Sequence, residues 1–313
     1  SGGTATLASA TPTAISGGFG PEFKLKFSTS GVADGNETIT VTPIADQLWD
    51  IDGTVVSNTQ SSNTVDMNLS FMNPIVNFEH NGSNATYNSM IHIAGDVYAL
   101  AYEGASNKAT LSTIKITSAG SVTNSSFVAT EEHDSNNGEH NELIHLSGDK
   151  YVLFYKGADN DGFAKVFKIT ANGETIEQLS SALEFATSDY WEGSVVKMTD
   201  STLVLAHAGQ SYDGFIKTFK IASDGSTITK IVEREHDGSY GQYNSLVRAD
   251  EDTYVLSYNG SNNYGRVQTF TIPPDGSSIT EVANAAFADN GHSQWNSLVQ
   301  VDHDTYLNAG YSY

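Results

Sequence analysis

The sequence predicts an all-β protein in two parts, an incomplete immunoglobulin-like (Ig-like) β-sandwich followed by a five-bladed β-propeller of ~52-residue repeats. The first observation is a two-residue anchor that returns five times, in steps of 53, 52, 51 and 52 residues. The second is that a complete repeat contains four short strand patterns. The third is a set of glycines at constant distances beyond the anchors. A period near 50 residues with about four strands per unit is typical of propeller blades.

The anchors define the repeats, and most of them read Asn-Ser after an aromatic residue. They are Asn88-Ser89, Asn141-Glu142, Gly193-Ser194, Asn244-Ser245 and Asn296-Ser297. Glycines lie 16 residues beyond the first four anchors, at Gly104, Gly157, Gly209 and Gly260. A second set lies 32 residues beyond them, at Gly120, Gly173, Gly225 and Gly276. We expect both sets to adopt positive φ in turns, where glycine has no steric cost.

The two parts are predicted to meet between residues 68 and 69. Residues 1–68 alternate apolar and polar side chains around Glu22–Ser28 and Thr38–Thr42, a pattern that marks half-buried antiparallel strands. About four strands are predicted there, whereas a complete sandwich needs about seven. Residues 69–313 hold the propeller, whose last repeat ends after its second strand. Both ends are therefore expected to present unpaired strand edges.

Composition excludes several classes of function. The net charge is −22, with 15 Lys and Arg against 37 Asp and Glu, which argues against binding to nucleic acid or to an anionic membrane surface. The absence of cysteine excludes disulfides and thiol chemistry. No apolar run approaches the roughly 18 residues of a membrane span. Richness in Ser, Thr, Asn and Gly is typical of secreted β-proteins, so we expect an extracellular or cell-surface location.

Two stretches resemble a known kind of protein. Residues 1–66, with Asn36–Pro43 and the turn at Asp50–Gly53, resemble an Ig-like repeat of long modular surface and adhesin-like proteins of marine bacteria. Residues 69–313, with Tyr243–Val247 and Asp213–Phe219, are similar to propeller repeats of the same kind of protein. The resemblance implies an exported, modular, surface-attached or shed protein. It implies no particular reaction.

The leading hypothesis is a non-catalytic structural or adhesive protein, a surface scaffold or fibre subunit. Its open strand edges would pair with neighbouring subunits, or the chain would be followed by further modules of the same protein. No motif of a hydrolase nucleophile, a zinc protease or a phosphate loop is present, so no enzyme is predicted. Three carboxylates break the repeat and are interpreted as ordinary variation in solvated loops: Glu142, Glu184 and Glu192.

The alternative hypothesis is a lectin-like, multivalent glycan-binding propeller. Flat aromatic rings cover the apolar faces of sugars, and neighbouring amides bind the hydroxyls. Repetition around a ring would add avidity for surface glycans. The candidate ligand-binding residues are the aromatic side chains at or near the anchors: Tyr87, Tyr190, Trp191, Tyr240, Tyr243 and Trp295.

Metal and cofactor binding is not predicted. Two Asp-Gly turns are weak calcium candidates, with carboxylates at Asp50, Asp52, Asp159 and Asp161. Neither has the spaced acidic series and closing Glu of an EF-hand loop, so calcium is kept only as an alternative. Histidines eight residues before three anchors are interpreted as framework residues whose ring nitrogens bond to strand ends. These are His80, His133 and His236.

Overall fold

A computed structural model describes residues 78–118, 120–123, 126–288, 293–302 and 304–311, without the side chains of residues 263 and 288, and six short strands before residue 78. The chain divides into two compact units, Ser1–Pro74 and Ile75–Tyr313. The strands of the first unit are β1 (Thr6–Leu7), β2 (Thr13–Ser16), β3 (Lys24–Lys26), β4 (Thr29–Ser30), β5 (Glu37–Thr40) and β6 (Thr64–Met67). They form antiparallel pairs β1–β4, β2–β3 and β5–β6. The candidate calcium ligands Asp50 and Asp52 lie outside the described residues.

The second unit is an all-β, propeller-like series of antiparallel sheets. Sheet I contains β7 (Thr86–Ala94), β8 (Val97–Glu103), β9 (Ala109–Lys115) and β10 (Ala129–Asp134). Sheet II contains β11 (Glu139–Ser147), β12 (Lys150–Lys156), β13 (Gly162–Ile169), β14 (Ile176–Gln178) and β15 (Leu183–Ala186). Both β14 and β15 pair with β13, so the fourth strand of this sheet is interrupted.

The remaining sheets repeat the same order. Sheet III contains β16 (Trp191–Lys197), β17 (Thr202–Ala208), β18 (Gly214–Ile221) and β19 (Ile228–Asp237). Sheet IV contains β20 (Gln242–Arg248), β21 (Thr253–Asn259), β22 (Gly265–Thr271) and β23 (Thr280–Ala288). In the described part of the chain, sheet V contains β24 (Gln294–Gln300) and β25 (Tyr306–Tyr311). No described helix is long and apolar enough to cross a bilayer.

The core lies between successive sheets. Second strands such as β12 and β17 read as continuous apolar runs and are buried along almost their whole length. They therefore pack on both faces, unlike a strand with one face in water. One hydrophobic cluster joins sheets I and II, a second joins II and III, and a third joins III and IV. In the second cluster, Phe219 packs against Phe154 and Phe185, with ring centroids 5.1 and 5.5 Å away.

The first strands of the five sheets lie side by side in chain order, and anchor residues link them. The hydroxyl of an anchor serine accepts a hydrogen bond from a backbone N–H of the next first strand. These links are Ser89 with Leu143, Ser194 with Leu246, and Ser245 with Leu298, at 3.0, 2.9 and 2.9 Å. The recurring serines thus serve the architecture.

The two sets of turn glycines differ from each other. The set 32 residues beyond the anchors has the predicted positive φ, between +72° and +82°. The set 16 residues beyond has negative φ, so that expectation was wrong. The left-handed conformation there belongs to the second and third residues after the glycine, such as Asp159 and Asn160. The glycine is required by packing instead, because a Cβ at Gly157 would lie only 2.5 Å from the ring of Phe163.

The core arrangement predicts the effect of removing Phe219, which is fully buried. We expect Phe219→Ala to lower the free energy of unfolding by about 3–5 kcal/mol, because it leaves a cavity between sheets II and III. The control is Phe287→Ala, since the Phe287 side chain is 46% exposed. We expect this control to cost less than about 1.5 kcal/mol. Urea unfolding measures both, and equal losses would contradict the placement of the core.

Candidate active site

Each first strand contains a one-residue bulge immediately before its anchor. In β7, Thr86 pairs with Glu103 and Ser89 with Ala101, so β7 has one extra residue. The other four first strands show the same shift. The residue before each anchor is left-handed, with φ between +49° and +56°. We call these five residues the bulge row: Tyr87, His140, Glu192, Tyr243 and Trp295.

The left-handed conformation of the bulge row is unusual, since none of its residues is glycine. Aromatic side chains rarely adopt positive φ, and such strain costs of order 1–3 kcal/mol per residue. Strained residues gather at binding and catalytic sites, and bulges redirect side chains beside such sites. A strain repeated in five strands therefore marks the bulge row as a candidate site.

The members of the bulge row contact one another in order across the sheets. The ring centroids of Tyr87 and His140 lie 4.5 Å apart, and those of Tyr243 and Trp295 lie 5.0 Å apart. Glu192 joins the two aromatic pairs. Its backbone N–H donates to His140 Nδ1 at 3.4 Å, and its Oε2 accepts the N–H of Tyr243 at 2.8 Å. The row is continuous, and its outer members Tyr87 and Trp295 are exposed.

His140 is neutral and has an unused donor. Burial, and then the charge of Lys156, lower its pKa to about 4. Because Nδ1 accepts the N–H of Glu192, we assign the proton to Nε2. Nε2 is buried and has no hydrogen-bond partner among the described residues. A buried donor without a partner is costly, and a ligand oxygen would satisfy it.

Lys156 holds the side chains that pack beside His140. Its Nζ lies 3.3 Å from Glu139 Oε2 and 3.5 Å from the centroid of the Trp191 ring. Trp191 in turn packs edge-on against the His140 ring at 5.2 Å. The buried ammonium is thus held by a carboxylate and an aromatic face together. This arrangement keeps the Trp191 indole in a fixed position next to the bulge row.

The third repeat breaks the anchor pattern. In the other repeats the anchor Asn amide donates to the carbonyl three residues earlier, as from Asn88 to Ala85 at 2.9 Å. In the third repeat the anchor is Gly193 and the residue three earlier is Tyr190. A Cβ at Gly193 would overlap the Tyr190 hydroxyl oxygen. The tyrosine hydroxyl therefore occupies the room that the Asn side chain takes elsewhere.

Glu142 stands where the other anchors have serine. Its half-buried carboxyl makes no hydrogen bond within the described part of the protein, and burial raises its pKa to about 8. It lies close to Tyr190, whose pKa is raised well above its usual range by burial and then by the Glu142 charge. Glu142 is therefore mostly protonated at neutral pH and is a hydrogen-bond donor. The interpretation of this residue as solvated-loop variation was wrong.

Glu192 has a different environment from Glu142. Burial raises its pKa, while the hydrogen bond from the Tyr243 N–H acts in the opposite direction. That N–H favours the ionised form, and Glu142 has no such support. Glu192 is half-buried in β16 and so does not fit the interpretation as a loop residue either. Two carboxyl groups in adjacent first strands thus differ in their tendency to ionise, which is the usual basis for separate acid and base roles.

The structure places the predicted glycan-binding residues unevenly. Tyr87, Tyr243 and Trp295 belong to the bulge row, and Trp191 adjoins it. Tyr240 lies further out, 5.6 Å from the ring of Tyr212, which approaches Trp191 at 6.5 Å.

Tyr190 differs from the expectation, because its side chain is fully buried and packs on Phe185 and His207. It offers no face to a sugar. Sequence reasoning missed Lys156, Gly193 and Tyr212. The signal that could have found Gly193 was the coincidence of two anchor breaks, at Glu142 and Gly193, in adjacent repeats.

The remaining candidates form framework or surface. His80 Nε2 lies 3.1 Å from Asn88 Oδ1, as expected of a framework histidine. His133 and His236 are buried against Tyr155 and Tyr258, but their ring nitrogens have no hydrogen-bond partner among the described residues, so the expected bonds from these two rings to strand ends were wrong. Asp159 is in an exposed turn, with Asp161 beside it. Within the described ranges, no three His, Asp or Glu side chains are placed to hold a metal ion.

Comparisons with known proteins find similarity only at the level of the fold. No protein-family model and no curated protein matches the chain. One similar solved structure, from Bifidobacterium bifidum s17, is described as an exo-β-1,3-galactanase, with 14% identity, a TM-score of 0.44, and 85% of this chain and 86% of that chain covered. The periplasmic gluconolactonase of Pseudomonas aeruginosa has 12% identity and a TM-score of 0.37, and the match covers 64% of this chain and 70% of that chain. An α-L-arabinofuranosidase of Podospora anserina in complex with cellotriose has 10% identity and a TM-score of 0.41, and the match covers 73% of this chain and 81% of that chain.

These findings correct the expected function. Three of the similar solved structures are hydrolytic enzymes by description, and a fourth is described as a hypothetical selenium-binding protein of Sulfolobus tokodaii, with 8% identity and a TM-score of 0.47. These descriptions run against the expectation of a non-catalytic scaffold, fibre subunit or lectin, and against the expectation that the chain is no enzyme, while for this chain the likeness itself extends to the fold alone. Paired carboxylates on separate strands have no fixed spacing in sequence, so the absence of motif signatures does not exclude a hydrolase.

The close packing of the Tyr190 hydroxyl against Gly193 predicts how substitutions at the two positions affect stability. We expect Gly193→Ala to lower the free energy of unfolding by about 1–3 kcal/mol, because the new methyl group meets the Tyr190 hydroxyl. Tyr190→Phe removes that hydroxyl, which has no partner among the described residues, and should by itself change stability by less than about 1 kcal/mol. In the double variant part of the loss should be recovered. Chemical denaturation of all four proteins measures this, and strict additivity of the two changes would refute it.

Proposed function

We propose that the protein is a glycoside hydrolase whose catalytic site is the bulge row together with Glu142. The observation that carries the proposal is the Glu142 carboxyl group. It replaces a structural serine, has no hydrogen bond to the described protein, and has a pKa of about 8. A carboxylic acid that stays protonated at neutral pH is the group that glycosidases use to protonate a leaving oxygen.

The two carboxyl groups take complementary roles in hydrolysis. Glu142 donates its proton to the glycosidic oxygen as the bond from that oxygen to the anomeric carbon breaks. In its carboxylate form, which the Tyr243 N–H favours, Glu192 stabilises the positive charge that develops on the sugar ring. Water then supplies the hydroxyl group of the new reducing end. The second proton of that water returns the site to its starting state.

The aromatic members of the bulge row would hold the sugar chain. Tyr87 and Trp295 expose 40% and 68% of their surfaces, so their ring faces can cover the apolar face of a pyranose. The unused Nε2–H of His140 can donate to a sugar hydroxyl between them. Surface or matrix glycans are then the substrates, and an extracellular location follows from that chemistry. The net charge of −22 favours neutral over anionic glycans.

We also infer the finer architecture that this site requires. Sheets I to V would be five blades around one axis, with the bulge row at one end of that axis. The ordered contacts of the first strands and the repeated bulge support this arrangement. The first unit would be an Ig-like module, and the chain would belong with the long modular surface proteins that its repeats resemble. An experimental structure showing the five sheets in an open row would exclude the blade arrangement.

Removal of the catalytic acid should cause a large loss of activity that depends on the leaving group of the substrate. We expect Glu142→Gln to lower kcat on unactivated glycosides by roughly 10²–10⁴-fold, because the amide cannot donate a proton to the leaving oxygen. With a dinitrophenyl glycoside, whose leaving group needs no protonation, the loss should be below about tenfold. The matched control is Glu177→Gln on the exposed β14 strand, which should retain full activity. Hydrolysis of aryl glycosides and of galactan and arabinan provides the measurement. Equal loss on both substrate types would exclude the acid role, and no hydrolysis of any substrate by the native protein would remove the proposal.

The pH profile gives an independent test. Glu142 must be protonated to act, so its contribution is present below its pKa and is lost as the pH rises through about 8. The rate of hydrolysis of unactivated glycosides should therefore fall about tenfold per pH unit above that value. In Glu142→Gln this basic limb should disappear. A native profile that stays flat up to pH 10 would contradict the assignment.

A further inference from the structure

A cavity of about 250 Å³ lies between sheets II and III. One wall is β15 with the residues that follow it, and the other is formed by β17, β18 and β19. Its charged lining residues are Glu184, Lys217, Lys230 and Glu233, so their formal charges cancel. The rings of Phe185 and Phe215 complete the wall. The cavity therefore combines a neutral overall charge with several polar groups and two apolar faces.

The cavity exists because one interface lacks a side-chain pair that its neighbours have. Between sheets I and II, the Tyr155 hydroxyl donates to Asp134 Oδ2 at 2.9 Å. Between sheets III and IV, the Tyr258 hydroxyl lies 3.5 Å from Asp237 Oδ2. At the corresponding positions between sheets II and III the chain has His207 and Ala186. Both replacements are smaller than the residues they replace, and both line the cavity.

His207 provides an acceptor inside this space. Its side chain is only 1% exposed, and its Nδ1 lies 3.0 Å from the carbonyl oxygen of Ala208. Because that contact uses the N–H, Nε2 is left as an acceptor, and it has no partner in the described part of the structure. Burial, and then the charge of Lys217, keep the pKa of His207 well below its usual value, so the ring is neutral. Nε2 is covered by the side chains around it, so a ligand hydroxyl reaches it only when one of them moves aside.

The lysines provide donors on the opposite side. Lys217 Nζ donates to the carbonyl oxygen of Phe185 at 3.0 Å and pairs with Glu233 Oε2 at 3.1 Å. Lys230 Nζ also pairs with Glu233, at 2.9 Å. Each ammonium has three N–H groups, so donors remain for a ligand. The cationic charge is already balanced, which removes the preference for an anion.

We propose that this cavity is a second binding site, for a small neutral polyhydroxylated molecule of monosaccharide size. Its hydroxyls would donate to His207 Nε2 and accept from Lys217 and Lys230, while its C–H face would pack on Phe215. The volume is below the roughly 300–1,000 Å³ of sites for drug-sized ligands, so one sugar ring fits and a chain does not. The site has its own lining residues and is proposed independently of the hydrolytic site, although His207 packs on Tyr190, which lies close to Glu142.

The test introduces at this interface the tyrosine–aspartate pair that is found at the two neighbouring interfaces. In the double variant Ala186→Asp with His207→Tyr, the new side chains fill the cavity, and the melting temperature should equal or exceed that of the native protein. Calorimetric titration with glucose, galactose, arabinose and inositol measures binding. We expect saturable binding of at least one of these probes to the native protein, and binding at least tenfold weaker to the filled variant.

A second variant keeps the test decisive if the filled protein folds poorly. His207→Leu removes the acceptor and leaves the volume nearly unchanged, so it should weaken the same binding at least fivefold. Glu177→Gln, on an exposed strand outside both sites, should bind like the native protein. Failure of all four probes to bind the native protein would overturn the proposal. So would binding that is unchanged in the filled variant and in His207→Leu, since the sugar would then occupy another place such as the bulge row.

Discussion

The hydrogen bond from a backbone N–H of one first strand to the anchor serine of the strand before it aligns three of the four neighbouring pairs of first strands in the described part of the second unit. Three such bonds are present, from Leu143, Leu246 and Leu298. Each contributes a net of about 0.5–1.5 kcal/mol, so together they are worth less than two buried aromatic side chains. They therefore fix the register of neighbouring first strands, while the apolar clusters between the sheets supply most of the stability. With the strands level, the five bulges also lie level, and the bulge row can form.

The interface between sheets II and III departs from this arrangement at four positions of the repeat. Between sheets II and III, Glu142 replaces the linking serine and Gly193 replaces the anchor asparagine. His207 and Ala186 replace the tyrosine and aspartate that close the two neighbouring interfaces. Because each sheet of a repeat scaffold contacts mainly its neighbours, one interface can differ from the others while the rest of the arrangement is kept.

The sequence predicted the repeat and its strands well and the site poorly, for physical reasons. Periodic anchors report strand spacing directly, so the sheets from β7 onward fall where the repeats place them. A bulge leaves no such mark, because the left-handed residues are Tyr, His, Glu and Trp, with no glycine or asparagine as a signal. The burial of Glu142 depends on the neighbouring strand and on the room left by Gly193, which lies 51 residues further on. Side-chain environments of that kind are set by tertiary packing and are not local properties.

The raised pKa of Glu142 has two conceivable sources, the net charge of −22 and local burial. Exposed charges act weakly beyond a Debye length of about 8–10 Å at ordinary ionic strength, so most of the 37 acidic residues have little effect on a half-buried carboxyl group. Burial alone raises the pKa of Glu142. The protonated state is therefore a property of the interface between sheets II and III. It should persist in high salt, where a shift that came from the overall charge of the protein would fade.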